Sequence, residues 1–159
     1  METILLIITT ILTALLAGIF LAYALSVNGA LHSLGDREYI RAMQYINIVI
    51  QNGLFFLTFM GPVALLPIVA YMYHDAADPR QFYLLIGASV VYIAGSFILT
   101  IVGNVPYNER LARVDVNDSS DAELKSAREK YEAPWNTMHL VRTVASVVAA
   151  ILLVAVCAL

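Results

Sequence analysis

Four long apolar stretches without charged side chains constrain the fold of this chain more than any other feature. Residues 3–31, 42–73, 81–108 and 143–159 contain no Asp, Glu, Lys or Arg. A helix needs about 20 apolar residues to cross the roughly 30 Å of hydrocarbon in a bilayer. The fourth stretch is short, but residues 138–141 can extend it. We therefore predict an all-α membrane protein, one domain over residues 1–159, with four transmembrane helices near 3–27, 46–73, 82–104 and 138–159.

The composition supports this class and excludes others. The 159 residues are 60% hydrophobic and 13% charged, whereas a soluble domain is about 45–50% apolar and about 25% charged. The net charge of −3 offers no basic surface for a nucleic acid. The single cysteine, Cys157, excludes an intrachain disulfide and a cysteine-based metal cluster.

The first apolar stretch has two interpretations. Ala22-Tyr23-Ala24 is similar to a signal-peptide cleavage site. No positive charge precedes the stretch, however, and it is longer than the usual core of about 7–15 residues. We expect a retained membrane helix.

The distribution of basic residues predicts the orientation. Four crossings place both termini on one side, and the loops after the first and third helices on the other. Those two loops and their flanks carry Arg37, Arg41, Arg110, Arg113, Lys125, Arg128, Lys130 and Arg142, against Arg80 alone on the opposite side. By the positive-inside rule we expect the two long loops to be cytoplasmic. We also expect the chain to lie in the plasma (inner) membrane.

A short amphipathic helix is predicted in the loop between the third and fourth transmembrane helices. Ser120 and Glu123 have capping-box spacing, and Leu124, Ala127 and Tyr131 then fall on one face. We expect this helix to lie at the membrane surface.

The third apolar stretch carries a polar stripe. Its members recur every three or four residues and therefore share one helix face: Ser89, Tyr92, Ser96, Thr100 and Asn104. Hydroxyl groups on such a face often bond to backbone and allow close helix packing. The alternative is one wall of a cavity that opens at Asn104.

Two more polar faces occur at helix entrances on the same predicted side. Gln44, Asn47 and Gln51 share one face, with Met43 beside it. They are either a solvated helix end or donors and acceptors for an oxygen-rich ligand. The other face follows Pro134, which suits a first helical turn.

Trp135, His139 and Arg142 form that second face, at i, i+4 and i+7. Interfacial tryptophan and arginine commonly anchor membrane helices. A histidine beside a cation is expected to be neutral, and is therefore a candidate base.

Three motifs resemble the anthrone oxygenase-like membrane family, which is also catalogued as a domain of unknown function. They are Asn104-Val105-Pro106-x-Asn108, Trp135-x-x-x-His139-x-x-Arg142-Thr143 and, more weakly, Ala42-Met43-Gln44-x-x-Asn47. The resemblance spans nearly the whole chain in order and hydropathy. This chain carries Tyr107 where many members have leucine, and Met138-His139 where many have Trp-Asn.

The resemblance implies oxidation of an anthrone to an anthraquinone by dioxygen, without metal or flavin. In our hypothesis His139 is the general base, and Arg142 and Asn104 stabilise an oxyanion. The remaining expected contacts to an apolar aromatic substrate are Met43, Gln44, Asn47, Asn108, Trp135, Tyr107 and His32. We expect no cofactor, although the three histidines leave a haem or metal site open.

A non-enzymatic alternative uses the same residues. The bundle would then bind a quinone or lipid-like molecule, or would assist another membrane protein, and a homo-oligomer fits either interpretation. A transporter or channel is less consistent with the sequence because no acidic residue lies deep in any span.

Overall fold

A computed structural model describes residues 1–159 as a bundle of helices without strands. Its helices are α1 (Glu2–His32), α2 (Asp36–Val49), α3 (Gly53–Met72), α4 (Pro79–Ala112) and α5 (Asp121–Cys157). All except α2 are long and apolar enough to cross a membrane. The predicted all-α class with four membrane-length helices is therefore confirmed.

The four long helices form a closed ring in which α1 packs on α3 and α5, and α4 packs on the same two helices. Their shared core contains Leu16, Leu66, Leu85, Tyr92 and Leu153, all fully buried. Apolar side chains elsewhere on these helices face outward, as lipid requires. The bundle therefore has an apolar interior and an apolar belt.

The second cluster of buried residues lies at one end of the bundle, where α2 packs against α5 and the end of α4. Tyr39, Ile40, Met43, Leu124 and Tyr131 belong to it. We call this end, which also includes the C-terminal end of α1, the α2 end.

Arg128 holds the α2 end together. Its guanidinium donates to the carbonyl oxygens of His32 and Leu34, both at 2.8 Å, where α1 ends. It also pairs with Glu132 at 2.7 Å and Asp36 at 3.0 Å. A cation at a helix C-terminus satisfies the unpaired carbonyl groups and complements the helix dipole.

The predicted short helix at the membrane surface is instead the first part of α5, which runs unbroken for 37 residues. The capping box at Ser120 and Glu123 is present. Pro134 lies inside the helix rather than in its first turn. It removes one backbone bond to the carbonyl of Lys130, an exposed residue, where water can replace the lost donor. Leu124 and Tyr131 are buried against the α2 end rather than in lipid.

The second transmembrane helix begins later than the predicted residue 46. α2 ends at Val49, and α3 begins at Gly53 after a short break. Asn52 caps α3, because its side chain accepts a hydrogen bond from the backbone N–H of Phe55 at 3.0 Å. The break makes α2 a separate helix.

The third transmembrane helix continues past the predicted end at residue 104, as far as Ala112. Pro106 does not end it, because π-helical turns at Ile93–Ile98 and Thr100–Asn104 precede the proline. A π-helical turn shifts the hydrogen-bond pattern and can accommodate a residue that lacks an N–H. A further π-helical turn, Tyr23–Val27, lies in α1. Tyr23 and Thr100, at the start of two of these turns, face the cavity described next.

Candidate functional site

A cavity of about 530 Å³ lies inside the α2 end and takes residues from all five helices. Its size is within the range of about 300–1,000 Å³ typical of small-molecule sites. Six residues predicted from the sequence line it: Gln44, Asn47, Asn108, Trp135, His139 and Arg142. The other lining residues are mostly apolar: Ile19, Phe20, Tyr23, Ile46, Ile48, Ile50, Gln51, Phe55, Phe56, Phe59, Thr100, Val105, Glu109 and Ala112.

Arg142 is the only buried cation on the wall, with 8% of its surface exposed. It forms no ion pair with a carboxylate. Its guanidinium carbon lies 4.2 Å from the centre of the Phe20 ring and 5.4 Å from that of Trp135. Aromatic faces compensate part of a buried positive charge, but no anion of the protein neutralises it. An uncompensated cation inside a membrane bundle is unfavourable unless a ligand supplies the opposite charge.

The Arg142 guanidinium also has N–H groups that bond to nothing in the protein. Its Nε and Nη2 donate to Nδ1 of His139 at 3.1 and 2.9 Å, and its Nη1 donates to Thr100 Oγ1 at 3.3 Å. A guanidinium carries five N–H groups. Three are used here, so two remain for a ligand.

Both ring nitrogens of His139 are already bonded. Since Nδ1 accepts from Arg142, the hydrogen sits on Nε2, which donates to the carbonyl oxygen of Phe20 at 3.1 Å. The residue is 1% exposed. In this arrangement His139 fixes the position of Arg142, and its lone pair is not free to accept a proton.

An aromatic wall of stacked rings stands beside the arginine. The rings of Trp135 and His139 stack at 5.0 Å between centres and 7° between planes, and Tyr131 stacks on Trp135 at 6.0 Å. The ring of Tyr23 lies edge-on to His139 at 5.2 Å. Because His139 and Tyr131 cover the two faces of the Trp135 ring, this wall turns ring edges to the cavity, and ring edges pack well against the face of a planar aromatic ligand.

Asn108 is oriented by this wall. Its Oδ1 accepts hydrogen bonds from Trp135 Nε1 at 2.7 Å and from the Tyr131 hydroxyl at 3.0 Å. Because both lone pairs of the oxygen are used, the side-chain amide is fixed and its NH₂ group is available to an acceptor in the cavity.

The three amides contributed by α2 and the break after it differ in what they can offer. The Asn47 side chain lines the cavity beside the Tyr131 hydroxyl. Gln44 donates to the carbonyl oxygens of Leu111 and Val114, both at 2.9 Å, and so ties α2 to the end of α4. Gln51 donates to the carbonyl oxygen of Asn47 at 2.8 Å.

Four of the predicted site residues are not on the cavity wall. Asn104 is buried beside it and donates to the carbonyl oxygen of Trp135 at 3.1 Å. Met43 is buried, with its sulfur accepting from the Tyr23 hydroxyl at 3.1 Å. Tyr107 packs against the apolar cluster of the α2 end. The His32 side chain is 77% exposed and pairs with Glu132 at 2.8 Å on the outside.

The polar stripe of α4 is mainly a packing surface. Ser89 and Thr100 donate to backbone carbonyl groups one turn earlier, and Ser96 bonds to Ser146 of α5 at 2.8 Å. Tyr92 donates to the carbonyl oxygen of Phe59 at 2.8 Å. Thr100 is the one member of the stripe that lines the cavity. Asn104 does not line it, so the cavity does not open at Asn104.

Phe20, Tyr23 and the phenylalanines of α3 are wall residues that the sequence reasoning missed. Phe20 and Tyr23 lie in a uniformly apolar stretch, where nothing in the pattern separates a cavity-facing ring from a lipid-facing one. Phe55, Phe56 and Phe59 follow a helix-start signal, Asn52-Gly53, which could have marked them as the first turns of α3.

The cavity opens through the side of the bundle. The second half of α4, from Thr100 onward, packs on α5 and α2 rather than on α3. The lining residues Ile48, Phe56 and Val105 at this gap are 68%, 43% and 37% exposed. Gln51 and Glu109 are also exposed and line the same cavity, so its mouth carries both apolar and polar groups.

The structure brings together no group of three His, Cys, Asp or Glu side chains that could hold a metal ion. The expectation of chemistry without a cofactor stays a prediction. What the arrangement offers is an unneutralised cation, a stacked aromatic wall and fixed amide donors around an apolar space.

Comparison with known proteins agrees with the motifs. The sequence model of the family described as anthrone oxygenase matches residues 55–152, which is more than half of the chain. The match includes the Asn104–Asn108 and Trp135–Thr143 motifs and leaves α1 and α2 outside. No curated protein and no solved structure matches the chain. The extent of the family match shows that this chain belongs to the anthrone oxygenase family.

Proposed function

We propose that the cavity binds a polycyclic aromatic ketone or phenol as its oxyanion, and that the chain oxidises this ligand with dioxygen without a cofactor. The observation that carries the proposal is Arg142, a buried cation with no acidic partner and two unused N–H groups. An oxyanion held against it would gain charge-assisted hydrogen bonds in a site of low dielectric.

The rest of the cavity suits a flat ligand with a second oxygen. The Arg142 guanidinium carbon lies 5.4 Å from the centre of the Trp135 ring, and the Asn108 amide is bonded to Nε1 of the same ring. The two donor groups therefore lie on either side of one indole. A planar ring system that carries two oxygens can place one at the guanidinium and the other at the Asn108 amide.

Proton removal requires a rearrangement of the resting contacts. Arg142 must release His139 Nδ1 and turn to the ligand oxygen. The guanidinium then exchanges a bond to a neutral ring for one to an anion, which is the stronger bond. His139 Nδ1 becomes free to accept the proton from the ring carbon, while its Nε2 keeps the bond to Phe20. Binding and activation are thus coupled through one side chain.

The proposed reaction balances without another reductant. His139 takes a proton from the ring CH₂ group, and the negative charge moves to the ketone oxygen beside Arg142. The electron-rich carbon transfers its electrons to dioxygen and forms a C–O bond, giving a hydroperoxide after protonation. Loss of water breaks the O–O bond and the remaining C–H bond. In sum, CH₂ and O₂ become C=O and H₂O.

Oxygen uptake and product absorbance with purified protein test this proposal. We expect parent protein to convert anthrone faster than a protein-free solution with the same detergent and pH. His139→Ala should react no faster than the protein-free solution. Arg110→Gln, which changes an exposed cation outside the cavity, should keep the parent rate. A parent rate equal to the protein-free rate would exclude the oxygenase function.

A second candidate function is non-catalytic binding of a quinone or lipid-like molecule. The observation in its favour is that both His139 nitrogens are bonded, so no free base stands on the wall in this state. This candidate predicts that an anthraquinone binds with no oxygen uptake from anthrone, and that His139→Gln binds it as the parent does. Oxygen uptake above background decides against it.

We also propose that the α2 end faces the cytoplasm, since eight basic residues in the chain belong to this end or its flanks and Arg80 alone to the other. Labelling in intact cells tests this orientation, with Cys157 replaced by serine and a cysteine introduced at one of the exposed positions Asn117 and Ala77. Only the cysteine at position 77 should react with an impermeant reagent.

A further inference from the structure

We propose that a second, polar cleft at the α2 end binds the phosphate group of an anionic phospholipid. The cleft has a volume of about 470 Å³ and lies between α2 and the segment that follows α4. Arg41 and Arg113 line it, together with Tyr45, Ile48, Asp115 and Asn117. The proposal does not depend on the chemistry of the inner cavity.

The cleft has well-ordered walls. Arg37 donates to the backbone carbonyl groups of Val116 and Ser119 and so holds the segment after α4 against α2. Arg41 donates to Asn117 Oδ1 at 2.9 Å, which adds a second tie across the cleft. These contacts join residues 76 to 82 positions apart in the sequence. The walls are therefore fixed by tertiary contacts rather than by one flexible loop.

The cleft has a net positive charge, with two arginines against one acid. Neither Arg41 nor Arg113 forms an ion pair, and the side chain of Arg113 makes no hydrogen bond within the protein. Asp115 is the one acid on the wall, and its Oδ1 accepts from the backbone N–H groups of Asn117 and Asp118 at 2.9 and 3.2 Å. Two guanidinium groups with free donors are well suited to the oxygens of a phosphate.

The apolar side of the cleft points to a lipid rather than to free phosphate. Tyr45 and Ile48 are 65% and 68% exposed, and the neighbouring Val49 and Leu54 are 71% and 69% exposed. Such side chains need hydrocarbon around them, so they mark the level at which α2 meets the acyl chains. Arg41 lies seven residues before Ile48, about 10 Å along α2, a distance of the order of the headgroup layer. A phosphate at the arginines therefore places its acyl chains over the apolar residues.

The lipid site adjoins the inner cavity, because Gln44, Ile48 and Ala112 line both. A lipid held there would lie beside the lateral opening of the cavity. Basic pockets at the headgroup level of membrane proteins are a recognised type of anionic-lipid site.

Native mass spectrometry of the full-length protein in neutral detergent tests the proposal, with phosphatidylglycerol and phosphatidylcholine of the same acyl chains as probes. We expect phosphatidylglycerol to bind more tightly. The double variant Arg41→Gln/Arg113→Gln should weaken its binding about thirtyfold, and Arg113→Gln alone about fivefold. Arg110→Gln, exposed at the same end but outside the cleft, is the matched control and should change binding less than about twofold.

Four results would overturn the proposal. Three of them are equal affinity for the two lipids, a double variant that binds like the parent, and an equal loss in the Arg110 control. The fourth comes from competition with inorganic phosphate. If millimolar phosphate displaces phosphatidylglycerol and sulfate does not, the site takes free phosphate and the lipid assignment fails. Arg113→Gln keeps the test valid even if loss of the Arg41 tie to Asn117 loosens the fold.

Discussion

Replacement of Arg142 by methionine tests the feature on which the proposed function depends. The side chain keeps its approximate length but loses the charge and every N–H group. A hydrogen bond to a charged group contributes about 1.5–3 kcal/mol net, and about 1.4 kcal/mol corresponds to a factor of ten. We therefore expect an ionised hydroxyanthraquinone to bind about 10- to 150-fold more weakly to the variant.

A matched pair of ligands separates charge from packing. The methyl ether of the same hydroxyanthraquinone cannot ionise, so its affinity should fall much less in the variant than that of the anion. Loss of the bonds from Arg142 to His139 and Thr100 affects both ligands, so the ratio of their affinities isolates the oxyanion contact.

The assay uses the single tryptophan of the chain, Trp135, which lies on the cavity wall. A quinone bound against this wall should quench its fluorescence, and titration gives both dissociation constants. Arg142→Lys, which keeps the charge but not the fork geometry, should retain part of the preference for the anion. If Arg142→Met leaves the ratio of the two affinities unchanged, the site does not recognise an oxyanion.

Two further predictions concern the scaffold around the site. Gly95→Ala should destabilise the bundle by about 1–3 kcal/mol, because the added Cβ would lie 2.7 Å from that of Ala145. Gly18→Ala is the control and should be tolerated, because its Cβ meets no atom within 4 Å. Unfolding in SDS measures both variants, and equal stabilities would contradict the close approach of α4 and α5. Gln44→Ala should cost about 1–3 kcal/mol by leaving the carbonyl group of Val114 without a donor and that of Leu111 with only the backbone N–H of Val114. Gln51→Ala, which loses only an exposed bond within its own turn, should change thermal stability little, and a similar loss in both variants would refute the structural role of Gln44.

Rules that use only neighbouring residues account for both the correct and the incorrect predictions of the helices and their ends. The four spans followed from hydropathy, since the transfer of a 20-residue segment into lipid depends on that segment alone. The rule that proline marks a helix boundary, because it lacks an N–H, fails at Pro106 and Pro134, which both lie inside helices. π-helical turns before Pro106 and an exposed carbonyl group before Pro134 make the helices continuous there. The start of α3 is a local feature of the sequence, since Asn52 before Gly53 is a helix-start signal.

By itself, the sequence determined the membrane class, the four long helices and the motifs whose residues meet in the cavity, such as Asn108 and Trp135. These features depend only on hydropathy and on the spacing of nearby residues. Only the tertiary structure decided which polar groups face a ligand and which face a neighbour. His139 bonds to Phe20, 119 residues away, and Gln44 to Leu111, 67 residues away. A hydrogen-bond partner so distant in sequence leaves no local pattern. Only the packed structure therefore shows that Arg142 has no acidic partner, while other polar side chains are bonded to distant parts of the chain.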